Sequence, residues 1–234
     1  MKRSHLAWFS PALSRTMELL WFGERGRPVL MFPTSKGRYF QNEDFGLVGA
    51  LADKVDAGFL QLVCVDSIDA WSWYDGSIPV ALRARRHDAY DRYLRHEVAP
   101  LVNDRTGGNL VTFGASFGAY HAANFAARYP GLVTKAICFS GLYRLDRFLQ
   151  GGWDELCYYH SPAAYIANMD EGACSALRQV EWVVATGEHD GLAGENRDFA
   201  DLLRRKGQRV TSAIWPGVNG HDWPFWNEHV RNFI

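Results

Sequence analysis

The sequence predicts an α/β protein: a mostly parallel central sheet, helices on both faces, and antiparallel strands at its amino-terminal side. Three observations carry this. Short apolar runs at residues 29–32, 60–65, 109–113, 133–139 and 180–185 alternate with helical segments, the signature of parallel strands joined by crossover helices. Those runs are apolar throughout rather than at every second position, as strands covered on both faces are. Ahead of them, residues 5–9 and 16–22 read as two strands with Ser10, Pro11 and Ser14 between them. So short a connection points to antiparallel neighbours.

Glu24-Arg25-Gly26-Arg27-Pro28 ends the second strand, and residues 29–32 form the third. A helix over about 44–56 is expected ahead of the strand at 60–65. A long helix is expected over about 81–102, where Tyr90, Tyr93, Leu94, Glu97, Val98 and Leu101 recur at three- and four-residue steps. The strand at 109–113 leads through a tight turn into an alanine-rich helix at 119–129, stopped by Pro130. Between the strands at 133–139 and 180–185 lies the one irregular stretch, 143–180. It has short helical candidates around 144–150, 161–168 and 173–179, too little for a large lid but enough to border a site at the strands' carboxyl ends. A helix at about 194–205, a strand at 209–215 and a helix at about 223–233 complete the chain. No repeat, low-complexity tract or linker divides it, so residues 1–234 read as one domain.

A hydrophobic share of 47%, a charged share of 22% and a net charge of -1 describe an ordinary globular protein without the basic surplus that nucleic acid or an anionic membrane would call for. No run of 18 apolar residues exists to span a bilayer. After Met1-Lys2-Arg3, the residues His5, Ser10, Pro11, Ser14 and Arg15 interrupt what an export signal would need as an apolar core. Cys64, Cys138, Cys157 and Cys174 show neither a paired motif nor zinc spacing and read as buried free thiols, in keeping with a cytoplasmic location.

The chemistry centres on Gly114-Ala115-Ser116-Phe117-Gly118, placed between strand and helix. A G-x-S-x-G turn there exposes the serine hydroxyl, and its glycines let neighbouring backbone pass closely. The helix that follows aims free N–H groups at any negative charge formed beside the serine. An ordinary turn serine would lack partners, so the test is whether the chain supplies a base and an acid. Of eight histidines, His221 lies in Pro216-Gly217-Val218-Asn219-Gly220-His221, directly after the last strand. His87, His96, His121 and His229 lie within helices, and His5 and His160 lack a suitable strand end. The strand at 180–185 runs into Glu188-His189-Asp190, where Asp190 is the preferred acid and Glu188 and Glu195 are the rivals. For the oxyanion, the N–H of Phe117 is one donor; the second is expected from the loop after the third strand, at Thr34 or Ser35. Trp71 and Trp73, after the fourth strand, and Trp223, beside His221, are candidates for substrate contact, although tryptophans also fill cores. Arg38, Arg83, Arg85 and Arg86 read as solvated charges rather than as a site for an anionic substrate.

The order Ser116, Asp190, His221 is that of the α/β-hydrolase triad, and the sequence resembles that superfamily, more narrowly its putative-esterase group. That group includes esterase D, feruloyl and siderophore esterases and the antigen 85 mycolyltransferases. The matching pieces are Gly114-Ala115-Ser116-Phe117-Gly118-Ala119-Tyr120, the Gly187-Glu188-His189-Asp190 loop followed by Asn196, Leu202 and Gly207, and Gly220-His221-Asp222-Trp223 with Trp226. The resemblance implies hydrolysis of small-molecule carboxylic esters through an acyl-serine, with no metal or organic cofactor. The chain departs from the group after its third strand, where many members carry His-Gly and this one has Phe32-Pro33. An acyltransferase or thioesterase would use the same residues, and a binding protein on the same fold would have lost turnover. A base of this kind must be neutral to take a proton, so activity is expected to fall on the acid side of about pH 6.5.

Overall fold

Eight strands form one sheet in the order β1-β2-β4-β3-β5-β6-β7-β8, in a computed structural model that describes residues 1–234. β1 (Arg3–Ser10) pairs antiparallel with β2 (Arg15–Phe22), and β2 pairs antiparallel with β4 (Leu60–Val65). Every other pairing is parallel. β3 (Arg27–Phe32) lies between β4 and β5 (Leu110–Ala115), followed by β6 (Val133–Phe139), β7 (Glu181–Gly187) and β8 (Arg209–Trp215). This is the expected α/β-hydrolase fold, with antiparallel amino-terminal strands and no large lid.

Burial follows from position in the sheet. β4 and β5 are buried at every residue, whereas edge strand β1 alternates between exposed and partly covered positions, as a strand with one wet face does. Along β3, Leu30 and Phe32 face one core and Val29 and Met31 the other, the two-residue period of a pleated strand. The first core packs α4 (Val80–Tyr93), α5 (Ala99–Thr106), α6 (Phe117–Arg128), α9 (Pro162–Ala167), α10 (Glu171–Leu177) and α11 (Ala193–Arg205). The second takes α2 (Leu47–Ala50), α3 (Ala52–Asp56) and α12 (Trp223–His229), with α1 (Gln41–Asp44) just ahead of them. All four cysteines are free and buried in this interior. No helix is long and apolar enough to cross a membrane.

Several helices differ from expectation for identifiable reasons. The helix expected at 44–56 is the three short helices α1–α3, broken where Gly46 adopts φ +87°, a conformation glycine reaches without a steric penalty. The long helix opens into a π-helical turn at Leu94–Val98 before α5. Pro100 lacks an N–H and its ring crowds the carbonyl four residues earlier, so the widened turn accommodates it. Within that turn Glu97 accepts hydrogen bonds from Trp8 Nε1 at 2.7 Å and Ser10 Oγ at 2.8 Å, fastening the β1-β2 hairpin. The 143–180 stretch holds α7 (Asp146–Leu149) and α8 (Glu155–Tyr159) as well as α9 and α10. α8 is too short to show a period, and its signal is the cap: Asp154 accepts from the Cys157 N–H at 2.9 Å.

The topology decides where a site can form. From β3 the chain moves outward to β4, then returns across β3 to β5. The loops leaving β3 and β5 therefore diverge at their carboxyl ends, which opens a crevice between them. Ser116 stands at that point.

Candidate active site

Ser116 follows directly on β5 and adopts φ +55° and ψ -122°, a strained backbone for a non-glycine residue, costing about 1–3 kcal/mol. The turn survives because its surroundings dictate it. The Ser116 N–H is bonded to Phe139 O at 2.8 Å, and the flanking glycines leave no space for a side chain. A Cβ on Gly114 would lie 2.0 Å from Gly118 O, and one on Gly118 would lie 2.6 Å from Pro33 O. Elbow and β3 loop thus meet backbone to backbone. Eleven of the twelve residues of α6 are buried, which explains its alanines: only small side chains let a fully enclosed helix approach the sheet this closely.

His221 Nε2 lies 3.1 Å from Ser116 Oγ, and His221 Nδ1 lies 3.0 and 3.1 Å from the two Asp190 oxygens. With Asp190 ionised, Nδ1 carries the proton and donates it to the carboxylate, leaving Nε2 to accept from the serine O–H. Asp190 itself is buried. Burial opposes its charge, but hydrogen bonds from His221 and the Leu192 N–H prevail and hold its pKa down at about 2. Leu192 N and Thr186 Oγ1 donate to it at 2.8 and 2.9 Å. The rival acids are engaged elsewhere: Glu188 accepts from the Gly217 N–H at 2.9 Å, and Glu195 accepts from the Arg144 N–H at 2.9 Å.

The loops bearing the acid and the histidine touch. A Cβ on Gly187 would lie 2.1 Å from Asn219 O. Behind His221, Ser140 donates to Gly220 O at 3.1 Å and accepts from Trp226 Nε1 at 3.2 Å, while the Trp226 ring stands edge-on to the imidazole at 5.5 Å. Ser140, at the end of β6 with φ +49°, was not foreseen from the sequence, where its position just past a strand end is the only signal. Three of the other histidines serve the interior. His87 bonds to Tyr120 OH at 2.9 Å, His121 to Asp69 at 2.8 Å, and His160 accepts from Asn124 at 3.3 Å. Burial, reinforced by His160 and His121, pushes His87 well below the ordinary histidine pKa and keeps it neutral.

On the oxyanion side, Phe117 opens α6, so its N–H has no acceptor within the helix. In the β3 loop, the expected alternatives separate. The Thr34 N–H is donated to Gln41 Oε1 at 2.8 Å, so Thr34 is corrected: its donor is already committed. The Lys36 N–H goes to Asp69 Oδ2 at 3.2 Å and the Gly37 N–H to Thr34 O at 2.9 Å. The Ser35 N–H, between them, has no partner within the protein.

The tryptophans also separate. Trp73 is 1% exposed and donates to Tyr120 OH at 3.2 Å, so the expected substrate contact is replaced by core packing. Trp71 is exposed, but it lines a cavity with Arg15, Ile68 and Arg86 rather than with Ser116. Trp223 stacks on Phe45 at 4.9 Å and meets Trp226 edge-on at 5.2 Å, one ring removed from His221. Arg83 is buried and donates to Ile78 O and Phe148 O, Arg38 is paired with Asp66 and Glu18, and Arg86 is paired with Asp75.

Sheet order and a serine at the switch point are those of an α/β-hydrolase. A family model described as "Putative esterase" matches residues 45–231, and the chain belongs to that family of carboxylic ester hydrolases. Among solved structures, a ferulic acid esterase is similar with a TM-score of 0.79 at 18% identity, over 99% of this chain and 96% of its own. The S-formylglutathione hydrolase FrmB of Staphylococcus aureus gives 0.71 at 16%, over 99% and 94%. Mycobacterium tuberculosis MPT51 gives 0.72 at 16%, over 98% and 95%. At such identities the likeness is one of fold. No curated protein matches the chain in sequence.

Proposed function

We propose that the protein cleaves small-molecule carboxylic esters through an acyl-Ser116 intermediate, with His221 and Asp190 completing a catalytic triad. His221 Nε2 takes the Ser116 proton as Oγ attacks the ester carbonyl, and the tetrahedral oxygen accepts hydrogen bonds from the Phe117 and Ser35 N–H groups. The collapsing intermediate expels the alcohol, which receives the proton from His221. Water then gives its proton to the same nitrogen, attacks the acyl carbon and releases the acid with Ser116 restored. Asp190 keeps the imidazole in the tautomer that leaves Nε2 free. The supporting observation is the unbroken chain from Ser116 Oγ through His221 to Asp190, at 3.1 and 3.0 Å. Four buried free thiols support a cytoplasmic site of action.

An alkyl fluorophosphonate probe tests the reading. Labelling of Ser116 that vanishes in Ser116→Ala, with hydrolysis of short nitrophenyl esters vanishing alongside, supports it. A wild-type protein inert to both probe and esters ends it. Hydrolysis in the presence of added alcohol separates water from an alcohol as acyl acceptor, by whether acid or new ester accumulates.

A further inference from the structure

Of the two donors proposed for the oxyanion, Phe117 N–H is fixed by the start of α6, but nothing in the local sequence fixes Ser35. Its loop leaves β3 through Pro33 and carries no regular structure until α1. A donor is useful only if it is preorganised, because reorienting it during reaction would cost the energy it is meant to supply. Something outside the loop must hold it.

Two side chains do so, one on each flank of Ser35. Gln41, at the start of α1, accepts from Thr34 N at 2.8 Å and from Thr34 Oγ1 at 3.1 Å. Asp69, after β4, accepts from Lys36 N at 3.2 Å with one carboxylate oxygen. Its other oxygen is 2.8 Å from His121 Nε2, and neither side chain is more than 1% exposed. His121 lies on α6, the helix whose first N–H is the other donor. One buried carboxylate therefore spans the elbow helix and the oxyanion loop. Around it, Ser67 Oγ donates to Gly37 O at 2.7 Å and Ser35 Oγ bonds with Tyr74 OH at 2.7 Å, so the 66–74 segment braces the loop along its length.

The geometry points to Asp69 and Gln41 as positioning residues that consume the amides on either side of Ser35 and hold its N–H at a fixed separation from that of Phe117. The inference rests on the esterase reading of the site. Neither side chain is asked to touch substrate. Burying Asp69 is sustainable because both its oxygens are paired, one with His121 and one with a backbone amide.

The test compares Asp69→Ala, Asp69→Asn and Gln41→Ala with the wild type, in ester hydrolysis and in binding of an alkyl boronic acid whose tetrahedral adduct with Ser116 needs the same N–H groups. Asp69→Ala and Gln41→Ala are each expected to lower kcat by about ten- to a hundredfold, to leave KM within about twofold, and to weaken boronate binding in step with kcat. Asp69→Asn keeps an acceptor for Lys36 N and is expected to retain more of kcat than Asp69→Ala. Product carboxylate, which carries no tetrahedral oxyanion, should bind all variants as it binds the wild type. Should Asp69→Ala not fold, Gln41→Ala carries the test, because Gln41 lies on a partly exposed helix outside the buried pair. Wild-type kcat and boronate affinity in folded variants overturn the inference, as does a loss of kcat that merely follows a loss of melting temperature. Wild-type protein without esterase activity or probe labelling overturns the functional reading itself, a result distinct from normal activity in the variants.

Discussion

Ser116, Asp190 and His221 are each held by the end of a strand, whereas the Ser35 N–H is held by side chains reaching in from other segments. On the first side, β5, β7 and β8 deliver their residues to one rim, and the loops after β7 and β8 meet through Gly187 and Asn219. On the second, a loop without regular structure depends on Gln41 and Asp69. The difference teaches that the proposed proton-transfer half is a product of topology, while the proposed oxyanion half is a product of particular tertiary hydrogen bonds. Damage to the first should remove the chemistry, and damage to the second should blunt it.

The strongest way to break the comparison is on the proton-transfer side. Ser116→Ala and His221→Ala are each expected to reduce kcat by about 10^6-fold, if the three residues act as a unit. Active-site titration with a fluorophosphonate would check that residual activity is not contamination. Asp190→Asn is expected to cost about 10^4-fold, because an amide stabilises the wrong imidazole tautomer. The same residue gives a pH prediction. Its pKa is depressed in the folded protein from 3.8 to about 2, so its contribution to stability is complete above about pH 4 and is lost as pH falls through the folded value. Acid unfolding followed by circular dichroism should show that segment in the wild type and not in Asp190→Asn.

Smaller effects sharpen the oxyanion side. Gly118→Ala puts a methyl against Pro33 O, with only 2.6 Å between the new carbon and that oxygen unless the backbone gives way. It is expected to push the β3 loop from the elbow, lowering kcat by about a hundredfold while destabilising the fold by about 1–3 kcal/mol. Kinetics together with chemical denaturation would separate the two losses. Last, Trp223→Ala should raise KM severalfold with little change in melting temperature, and Trp73→Ala should do the reverse, destabilising by about 3–5 kcal/mol. A common effect of both substitutions on KM would erase the distinction between a tryptophan at the rim and one in the core.

The sheet was legible in the sequence because burial on both faces imposes continuous apolar runs, and β4 to β7 stand where residues 60–65, 109–113, 133–139 and 180–185 foretold them within a residue or two. Ser116 and Asp190 could be picked out because each lies within a few residues of the end of such a run, and His221 because it closes the glycine-rich loop after the last strand. Thr34 and Ser35 could not be told apart, since the answer lies in Gln41 and in Asp69, which depend on loop geometry rather than on spacing. Trp73 misled for a related reason: a residue in a loop at the strands' carboxyl ends can still turn inward, here to reach Tyr120. The break at Gly46 and the π turn ahead of Pro100 show the same limit in the helices. Periodicity there exposes a buried face but not an interruption in the backbone beneath it.

The contact at Gly187 has a consequence for selectivity. No side chain fits between the carbonyl of Asn219 and the backbone at Gly187, so parting the loops that carry Asp190 and His221 to admit a bulky substrate would break a close backbone contact. Clearance for larger groups is expected instead from the opposite bank, where Phe148 of α7 packs against Phe117 and Tyr74. Size discrimination is then expected to depend on α7, and exchanging that segment should change which esters are accepted while leaving Ser116, Asp190, His221 and Ser35 in place.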